Sequence, residues 1–383
     1  MDDQTKARLS ARTIAAQGLG RPDPSTKGIV PSIHMSATYL RDADNGYSSG
    51  HVYGRSDNLS LQQAESFIAA LEGAEEAMLF NSGMGAATMV LLALDKPTHI
   101  IASQIMYYGF RAWLRDIGRY GHTVTFVETS DLDAVRAALR PNTGLFWIET
   151  PSNPLWTITD IAAVAEIAHA AKALLCVDST VATPIFTKAL MLGADIVMHS
   201  ATKYLNGHSD MVAGALATAG DSELWERLRK MRGQLGGALS PFDAWLLMRG
   251  MRTLDVRVRT QAKTAAILTD KLVGYPGISH VLYPGLKGHK GHDVALRQMT
   301  GGFGGMFSIR MKKGMKAAIA VAAAVELWKR ATSLGGVESL IEHRASIEGE
   351  GSPCPGDLLR FSVGLEDPDE LYFDLTRALA IVS

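Results

Sequence analysis

A lysine and an aspartate follow two neighbouring apolar segments of the chain and can together serve one kind of cofactor chemistry. Asp178 comes directly after the apolar run 173–177, and Lys203 comes shortly after the run 194–198. Short, continuous apolar runs are typical of buried strands. A lysine can form a Schiff base with pyridoxal 5'-phosphate (PLP), and an acid can keep the ring nitrogen of that cofactor protonated. Taken singly, the two residues also fit a surface lysine and a helix cap.

Further polar groups follow other predicted strands and would complete such a site. Ser82, Gly83 and Met84 open a helix after a strand, where backbone N–H groups and the helix dipole favour a phosphate, although a plain N-cap explains them equally well. The hydroxyls of Ser200 and Thr202 flank Lys203 and could donate to the same phosphate. Asn153 follows a strand in a proline-rich turn, so it is either a donor to the cofactor ring oxygen or a turn residue.

The elements that must position these groups alternate between strand and helix over residues 60–220. Strands are predicted at 77–80, 99–102, 123–127, 145–149, 173–177, 194–198 and 212–217, and helices at 61–71, 84–94, 110–120, 131–139 and 161–171. Short apolar strands alternating with helices predict an α/β fold with a mostly parallel central sheet that is covered on both faces. In such sheets ligands bind beyond the carboxyl ends of the strands.

The rest of the chain predicts a second, smaller unit. Helices are predicted at 225–231, 244–251 and over the Ala-rich segment 315–328, and strands over the Gly-rich segment 301–309 and at 358–363, followed by a helix over 367–380. We therefore divide the chain into an N-terminal arm (1–60), a large domain (61–250) and a C-terminal α+β domain (251–383).

Composition limits the function classes. The chain has 383 residues, of which 47% are hydrophobic, and its formal net charge is −1, so no global field favours nucleic acid or an anionic membrane. It has two cysteines, too few for a disulfide framework, which favours a reducing, cytoplasmic location. The N-terminus is polar, and no apolar run approaches the roughly 18 residues that span a bilayer.

The block that contains Asp178 and Lys203 carries a specific resemblance. Residues 178–184 (DSTVATP) and 199–210 (HSATKYLNGHSD) resemble the signature of the PLP-dependent enzymes of cysteine and methionine metabolism, which have fold type I. The similarity extends from residues 53–55 through 302–306 and 333–340 to 359–366. The family includes cystathionine γ-synthase, cystathionine γ-lyase, cystathionine β-lyase and methionine γ-lyase.

The resemblance implies a role for each candidate residue. Lys203 would be the Schiff-base lysine and general base, and Asp178 the partner of the ring nitrogen. Tyr107, or else the adjacent Tyr108, would stack on the cofactor ring and assist catalysis. Asn153, Ser333 and Arg360 would bind the substrate, with Arg360 on its α-carboxylate. The phosphate would be held by Ser82, Gly83, Met84, Ser200 and Thr202, and by Tyr53 and Arg55 of a neighbouring subunit. This implies a homo-oligomer, specifically a tetramer built of dimers with shared active sites.

The implied reaction is elimination or replacement at the γ-carbon of a homoserine- or homocysteine-type amino acid. The sequence Ser333, Leu334, Gly335, Gly336 favours γ-type members over enterobacterial β-lyases, which have an aromatic residue after the serine. The alternative within the family is a cystathionine β-lyase that releases pyruvate and ammonia. Thr332 stands where many γ-synthases and γ-lyases have glutamate, which argues against a cystathionine-type distal ammonium.

The segment 342–356 also departs from the family pattern, because Arg344, Glu348 and Glu350 replace uncharged residues. These residues fit a solvated loop. A sharper hypothesis is that the acids contact a cationic γ-substituent, such as the guanidino-oxy group of canavanine.

Three other function classes are weaker predictions. The segment 301–305 (GGFGG) lacks the strand–loop–helix context of a nucleotide-binding loop. His289 and His292 are spaced for a metal but have no nearby cysteine partners, so no metal site is expected. A catalytically inactive PLP-binding protein is disfavoured because lysine, acid and arginine are all present.

Overall fold

The computed structural model describes residues 9–23, 25–349 and 351–382. The polar start of the chain and Glu350 therefore lie outside the described residues. The first large element is a seven-stranded sheet in the order β1-β7-β6-β5-β4-β2-β3. Its strands are β1 (Glu76–Phe80), β2 (His99–Ser103), β3 (Thr123–Val127), β4 (Thr143–Glu149), β5 (Leu174–Asp178), β6 (Ile196–His199) and β7 (Gly214–Thr218).

Strand β7 runs in the direction opposite to the other six strands of this sheet. It pairs antiparallel with both β1 and β6, whereas β6, β5, β4, β2 and β3 pair in parallel. The predicted mostly parallel α/β sheet is therefore confirmed. Because β1 is parallel to β6, its end at Phe80 lies at the same edge of the sheet as the carboxyl ends of β4, β5 and β6.

Helices surround this sheet. They are α1 (Ala11–Gln17), α2 (Leu59–Glu72), α3 (Gly83–Leu92), α4 (Tyr108–Arg115), α5 (Leu132–Ala137), α6 (Ile161–Ala170), α7 (Thr183–Phe186), α8 (Glu223–Leu235), α9 (Pro241–Met251) and α10 (Leu254–Leu272), with short 3-10 turns at Gly18–Gly20, Ile117–Tyr120 and Leu190–Leu192. Trp147 of β4 packs with α3, α4 and α8, while its neighbour Phe146 packs with α6 on the other face. Burial on both faces explains the continuous apolar runs.

A second sheet of five strands follows, in the order β10-β11-β12-β9-β8. It contains β8 (Ile278–Leu282), β9 (Met306–Met311), β10 (Lys329–Arg330), β11 (Leu340–Glu342) and β12 (Leu358–Ser362), together with α11 (His292–Gln298), α12 (Gly314–Ala324), α13 (Arg344–Glu348) and α14 (Pro368–Ala380). This is the smaller C-terminal α+β unit that the sequence predicts; the exact boundaries at 60 and 250 stay predictions.

Arg360 occupies the central strand β12 of this second sheet. Its register partners are Glu342 on β11 and Ser308 on β9. Ser308 accepts a hydrogen bond from the indole N–H of Trp156 (2.9 Å) and donates one to the carbonyl of Pro154 (2.8 Å). Because Trp156 and Pro154 follow β4 of the large sheet, this face of the small sheet is fixed against the strand ends of the large one.

Several element boundaries differ from the sequence prediction for physical reasons. The predicted helix 110–120 begins earlier and breaks at Asp116, and the following 3-10 turn ends at Gly121 with a φ of 81°. The predicted strand 301–309 begins only at Met306, because Gly301, Gly302 and Gly304 have positive φ and form a loop. The long helix α10 was not predicted as one element.

The Ala-rich helix ends at Ala324 and not near residue 328, because a buried carboxylate accepts hydrogen bonds from the backbone N–H groups that follow the helix. Asp374 of α14 accepts hydrogen bonds from the N–H groups of Glu326 (3.0 Å), Leu327 (2.8 Å) and Trp328 (3.2 Å). The Trp328 ring is buried and donates from its indole N–H to the carbonyl of Leu371 (3.0 Å). Within the described ranges, no helix is long and apolar enough to cross a membrane.

We expect the substitution Asp374→Asn to destabilise the C-terminal unit, because the amide cannot accept all three backbone hydrogen bonds. Losing charge-assisted bonds to buried donors costs about 1–3 kcal/mol, so the apparent melting temperature should fall by about 2–6 °C. Differential scanning fluorimetry measures this change. Asp369→Asn on the same helix is the control, because Asp369 is exposed and its surface pair with Lys271 should contribute little. Equal shifts for the two variants would contradict the assignment.

Candidate functional site

A cavity of about 300 Å³ opens at the carboxyl edge of the large sheet. It contains most of the residues that the sequence singles out: Ser82, Gly83, Met84, Tyr107, Asn153, Asp178, Ser200, Thr202 and Lys203. These residues come from segments up to 121 positions apart, and the ends of β1, β4, β5 and β6 bring them together. Glu149 and Thr180 also line the cavity, although the sequence analysis assigned them no function.

One end of the cavity is the N-terminus of α3. Ser82 is the N-cap, and its hydroxyl accepts from the N–H of Gly85 (2.9 Å), so the cap interpretation is correct for that oxygen. The N–H groups of the first helical turn still point outward, as they do at anion-binding helix ends. A Cβ on Gly83 would lie 2.8 Å from Ser200 Oγ, so glycine allows the loop to approach this hydroxyl. Thr202 Oγ is instead engaged with the backbone of Ala213.

Two carboxylates also line the cavity. Asp178 and Glu149 are register partners at the ends of β5 and β4. Asp178 Oδ1 accepts from the hydroxyl (2.5 Å) and the N–H (3.0 Å) of Thr180. Burial raises the pKa of Asp178, and the Thr180 hydrogen bonds only partly oppose this. Over the ranges 9–23, 25–349 and 351–382, no cationic side chain forms an ion pair with either carboxylate.

Glu149 connects the two loops that flank the cavity. Its Oε2 accepts from the N–H of Tyr107 (2.7 Å), and its Oε1 accepts from the N–H of Asn153 (2.7 Å). Burial, together with the nearby charge of Asp178, raises the pKa of Glu149 to about 8. Its position at the end of a predicted strand, level with Asp178, was the sequence signal that could have identified it.

Lys203 reaches into the cavity from the loop after β6. Its Nζ donates a hydrogen bond to Ser333 Oγ (2.8 Å). Burial, the charge of Arg360 and the more modest effect of Arg344 lower the pKa of Lys203 to about 8, although Glu342 acts in the opposite direction. Because its pKa is lowered, the Lys203 amine is closer to its neutral, nucleophilic form than the amine of an exposed lysine is.

Ser333, the hydrogen-bond partner of Lys203, has a φ of 95°, a left-handed conformation that is costly for a residue with a side chain.

Arg360 lies beside Lys203 and is almost completely buried. Its guanidinium donates to Asn153 Oδ1 (3.3 Å), to the carbonyl of Ser333 (2.8 Å) and to Glu342 Oε2 (2.5 Å). Burial lowers the pKa of Arg360 to about 10, against the stabilising charge of Glu342. Asn153, Ser333 and Arg360, which the sequence analysis grouped as substrate ligands, are thus in direct contact with one another.

The two adjacent tyrosines face different surroundings. Tyr107 lines the main cavity, and burial raises the pKa of its phenol. Tyr108 lies edge-on to Tyr107, with ring centroids 5.1 Å apart, and the Arg344 guanidinium lies 5.2 Å from its ring centroid. Tyr107 is therefore the better placed of the two to stack on a group in the cavity.

Two candidates for the phosphate site, Tyr53 and Arg55, do not line the cavity of their own chain. The Arg55 guanidinium packs over the Tyr53 ring (5.1 Å) and donates to the carbonyl of Gly233 (3.0 Å). His289 and His292, for which no metal site was expected, each form a hydrogen bond with a different backbone carbonyl, that of Trp156 for His289 (2.9 Å) and that of Pro284 for His292 (2.8 Å).

Comparisons with known proteins agree with this fold. The family model for the Cys/Met metabolism PLP-dependent enzyme matches residues 12–380. The chain is 43% identical to the cystathionine gamma-synthase of Mycobacterium tuberculosis over 366 residues, covering 94% of each. It is 39% identical to the cystathionine gamma-lyase of Dictyostelium discoideum over 366 residues, 93% of this chain and 94% of the relative. The crystal structure of metB from Corynebacterium glutamicum superimposes with a TM-score of 0.95 at 39% identity, covering 99% of this chain and 100% of that one.

The fold and the cavity define an α/β enzyme that uses PLP. The match along nearly the whole chain is more specific: the protein belongs to the family of PLP-dependent enzymes of cysteine and methionine metabolism. It is similar to the γ-synthases and γ-lyases of transsulfuration, and its substrate is an amino acid.

The residues present fit the cofactor. Asp178 is a buried carboxylate without a cationic partner among the described residues, which a protonated ring nitrogen would supply. The free N–H groups of α3 suit a phosphate, and Lys203 lines the same cavity.

We expect the lowered pKa of Lys203 to appear in the uptake of PLP by the cofactor-free enzyme. The neutral amine is the nucleophile, and its fraction increases as pH rises through the pKa. The uptake rate should therefore rise with pH and level off above about 8, whereas an ordinary lysine would give a rise centred on 10.5. Stopped-flow absorbance from pH 6 to about 10 measures this. A Lys203→Arg variant is the control and should take up no covalently bound cofactor.

Proposed function

We propose that the enzyme catalyses elimination or replacement at the γ-carbon of a homoserine- or homocysteine-type amino acid. The observation that carries this proposal is the contact between Lys203 Nζ and Ser333 Oγ (2.8 Å). Arg360, the candidate ligand of the substrate carboxylate, contacts both Ser333 and Asn153, so the candidate base and the candidate carboxylate site share a neighbour. The γ-synthase and γ-lyase names of the relatives and the residues Leu334, Gly335 and Gly336 support γ-chemistry over β-chemistry.

In this proposal PLP would be held by Ser82, Gly83, Met84 and Ser200 at its phosphate, by Asp178 at its ring nitrogen, by Tyr107 on its ring face and by Lys203 covalently. Thr202 would join the phosphate ligands by giving up its hydrogen bond to the Ala213 carbonyl. Bound PLP supplies an electrophile for the substrate amine and a ring that accepts electrons. The cationic ring would favour the ionised form of Asp178, and the ionised Asp178 would in turn keep the proton on the ring nitrogen. Thr180 and Glu149 fix Asp178 and the two flanking loops.

Lys203 moves the protons. With a pKa near 8 its amine is substantially neutral at slightly alkaline pH, which suits a general base for the α-proton. A γ-leaving group also requires removal of a proton from the β-carbon, and Lys203 is the nearest base for that step. Ser333 accepts a hydrogen bond from Lys203 and so directs the amine toward the side on which Arg360 lies. The neutral Tyr107 phenol excludes water on the open side.

The substrate α-carboxylate binds Arg360, with Asn153 and Ser333 beside it. A planar guanidinium suits a carboxylate because it can donate two parallel hydrogen bonds. Arg360 is buried and held by three acceptors, so it is preorganised for this contact. An amine that lacks the carboxylate should therefore bind less tightly than the corresponding amino acid.

The distal group of the substrate is the open part of the proposal. Thr332 is exposed and provides no carboxylate for a distal ammonium. Glu348 was expected to contact a cationic group such as that of canavanine, but its Oε1 accepts from Arg344 and its Oε2 from Ser352. A canavanine-like specificity would therefore depend on Glu350, which lies outside the described residues.

We also propose that the enzyme is a cytoplasmic homotetramer built of two dimers and that the two subunits of each dimer share their active sites. The N-terminal arm exposes several large apolar side chains, including Ile29 (81%), Met35 (67%) and Leu40 (93%). Such a patch is expected to be covered in an oligomer. Tyr53 and Arg55 lie at the end of this arm, which supports their reaching the phosphate of a neighbouring subunit. Cys176 and Cys354 are buried free thiols, as is common in a reducing compartment.

A substrate panel tests the reaction. We expect release of 2-oxobutanoate from γ-substituted amino acids, or replacement of the γ-group when a thiol such as cysteine is added, with several orders of magnitude less turnover in Lys203→Ala. The panel comprises cystathionine, homocysteine, methionine, O-acylhomoserines and canavanine, with 2-oxo acid, homoserine and thiol release as readouts. Pyruvate from cystathionine as the main product would replace γ-chemistry by the β-lyase alternative. A protein that binds PLP but turns over none of these substrates would favour the inactive alternative.

Subunit hybrids test the shared site. Arg55→Ala and Lys203→Ala should each abolish most activity, but co-expressed and purified through two different tags they form hybrid dimers. In a hybrid, one of the two sites combines an intact Lys203 with an intact Arg55 from the other chain, so activity should recover to about half of wild type in the doubly purified hybrids and to about a quarter in an unselected, randomly paired mixture. No recovery, with hybrids present in the preparation, would show that Arg55 serves its own subunit or none.

A further inference from the structure

Arg344 departs from the family pattern and lies between two acidic side chains at the edge of the active site. It begins the short helix α13, and its side chain is only 2% exposed. Its guanidinium donates to Glu342 Oε2 (3.0 Å) and, from two nitrogens, to Glu348 Oε1 (2.9 and 3.2 Å). A buried guanidinium bonded to two carboxylates is a buried charge cluster and not the solvated loop that the sequence alone favours.

The same oxygen of Glu342 serves a second arginine. Arg360 donates to Glu342 Oε2 (2.5 Å), so one carboxylate oxygen is shared between Arg360 and Arg344. The other oxygen, Oε1, is buried and has no hydrogen-bond partner. Glu348 completes the charge balance because it neutralises Arg344 and is held by Ser352 (2.6 Å). The four charges sum to zero across two arginines and two glutamates.

Charge sharing has a direct effect on Arg360. A carboxylate that pairs with one arginine alone neutralises it, and a substrate carboxylate must then compete with that partner. A carboxylate that is drawn toward a second arginine leaves part of the first guanidinium's charge and donors free. Arg344 also supports the wall of the cavity, because its guanidinium lies over Tyr108, which packs edge-on to Tyr107.

We propose that Arg344 is a positioning residue for substrate recognition: it shares Glu342 Oε2 with Arg360, so that Glu342 neutralises Arg360 only in part and Arg360 stays available to the α-carboxylate of the amino-acid substrate. This inference rests on the proposed role of Arg360. It assigns the unusual segment 342–348 to carboxylate recognition and not to the distal group of the substrate. The chemistry recognised is a carboxylate next to the reacting amine.

The test compares two amines that have no leaving group to eliminate and that differ by that carboxylate, L-alanine and ethylamine. Both are titrated into the PLP-loaded enzyme, and the dissociation constants are read from the absorbance change and from the shift in melting temperature. The double variant R344Q/E348Q removes one charge of each sign. It should weaken L-alanine binding by about tenfold and change ethylamine binding by less than about twofold.

A third substitution separates charge sharing from a structural effect. Adding Glu342→Gln to the double variant removes the carboxylate that would then neutralise Arg360, so L-alanine affinity should return to within about threefold of wild type. The single variant Arg344→Lys keeps a cation beside Glu342 and should retain most of the affinity, which covers the case in which the double variant folds poorly. A loss that Glu342→Gln does not reverse, or no loss at all, would overturn the proposal.

Arg360→Gln distinguishes this inference from the one beneath it. If Arg360→Gln leaves the preference for L-alanine over ethylamine intact, Arg360 does not bind the carboxylate, and both the substrate assignment and the role of Arg344 fail. If Arg360→Gln removes the preference while R344Q/E348Q retains it, the substrate assignment stands and only the role of Arg344 is wrong.

Discussion

Two buried carboxylates at adjacent strand ends, Asp178 and Glu149, impose the constraint on which the site depends. Each raises the cost of ionising the other, and neither forms an ion pair with a cationic side chain within the described ranges of the chain. Hydrogen bonds and a nearby cation stabilise such a pair. Thr180 and the N–H groups of Tyr107 and Asn153 provide the hydrogen bonds. In the proposed function the cofactor ring would provide the positive charge, so that the site would be matched to its cofactor before any substrate enters.

The second half of the site comes from the other sheet. Lys203 belongs to the large sheet, but its hydrogen-bond partner Ser333 and the neighbouring Arg360 belong to the segments of the small one. In the proposed function, proton transfer by Lys203 and carboxylate recognition by Arg360 would meet across the junction that Trp156 and Ser308 hold together. Glu342 and Ser308, the register partners of Arg360, hold its strand in place beside Lys203.

Much of this was predictable from the sequence, and the exceptions have physical reasons. Alternating apolar runs predicted the parallel sheet, and strand-end polar residues predicted which side chains would meet in the cavity. Glu149 was missed because its position at a strand end, although visible in the sequence, gains weight only when its register with Asp178 is known. The charge cluster around Arg344 was read as a solvated loop because local sequence cannot show that Glu342, Arg344 and Arg360 lie on neighbouring strands and a short helix. Helix ends such as that at Ala324 are set by distant residues, here Asp374, and not by local propensity.

The left-handed backbone of Ser333 has a consequence for how this chain can change over evolutionary time. A serine with a φ of 95° costs about 1–3 kcal/mol that a glycine would not. Selection for stability alone would therefore favour glycine at this position. The chain has a hydroxyl there, 2.8 Å from the amine of Lys203. In the proposed function, the cost in stability would be offset by a role in catalysis. The difference in folding free energy between serine and glycine at this position would then measure how strongly function outweighs stability.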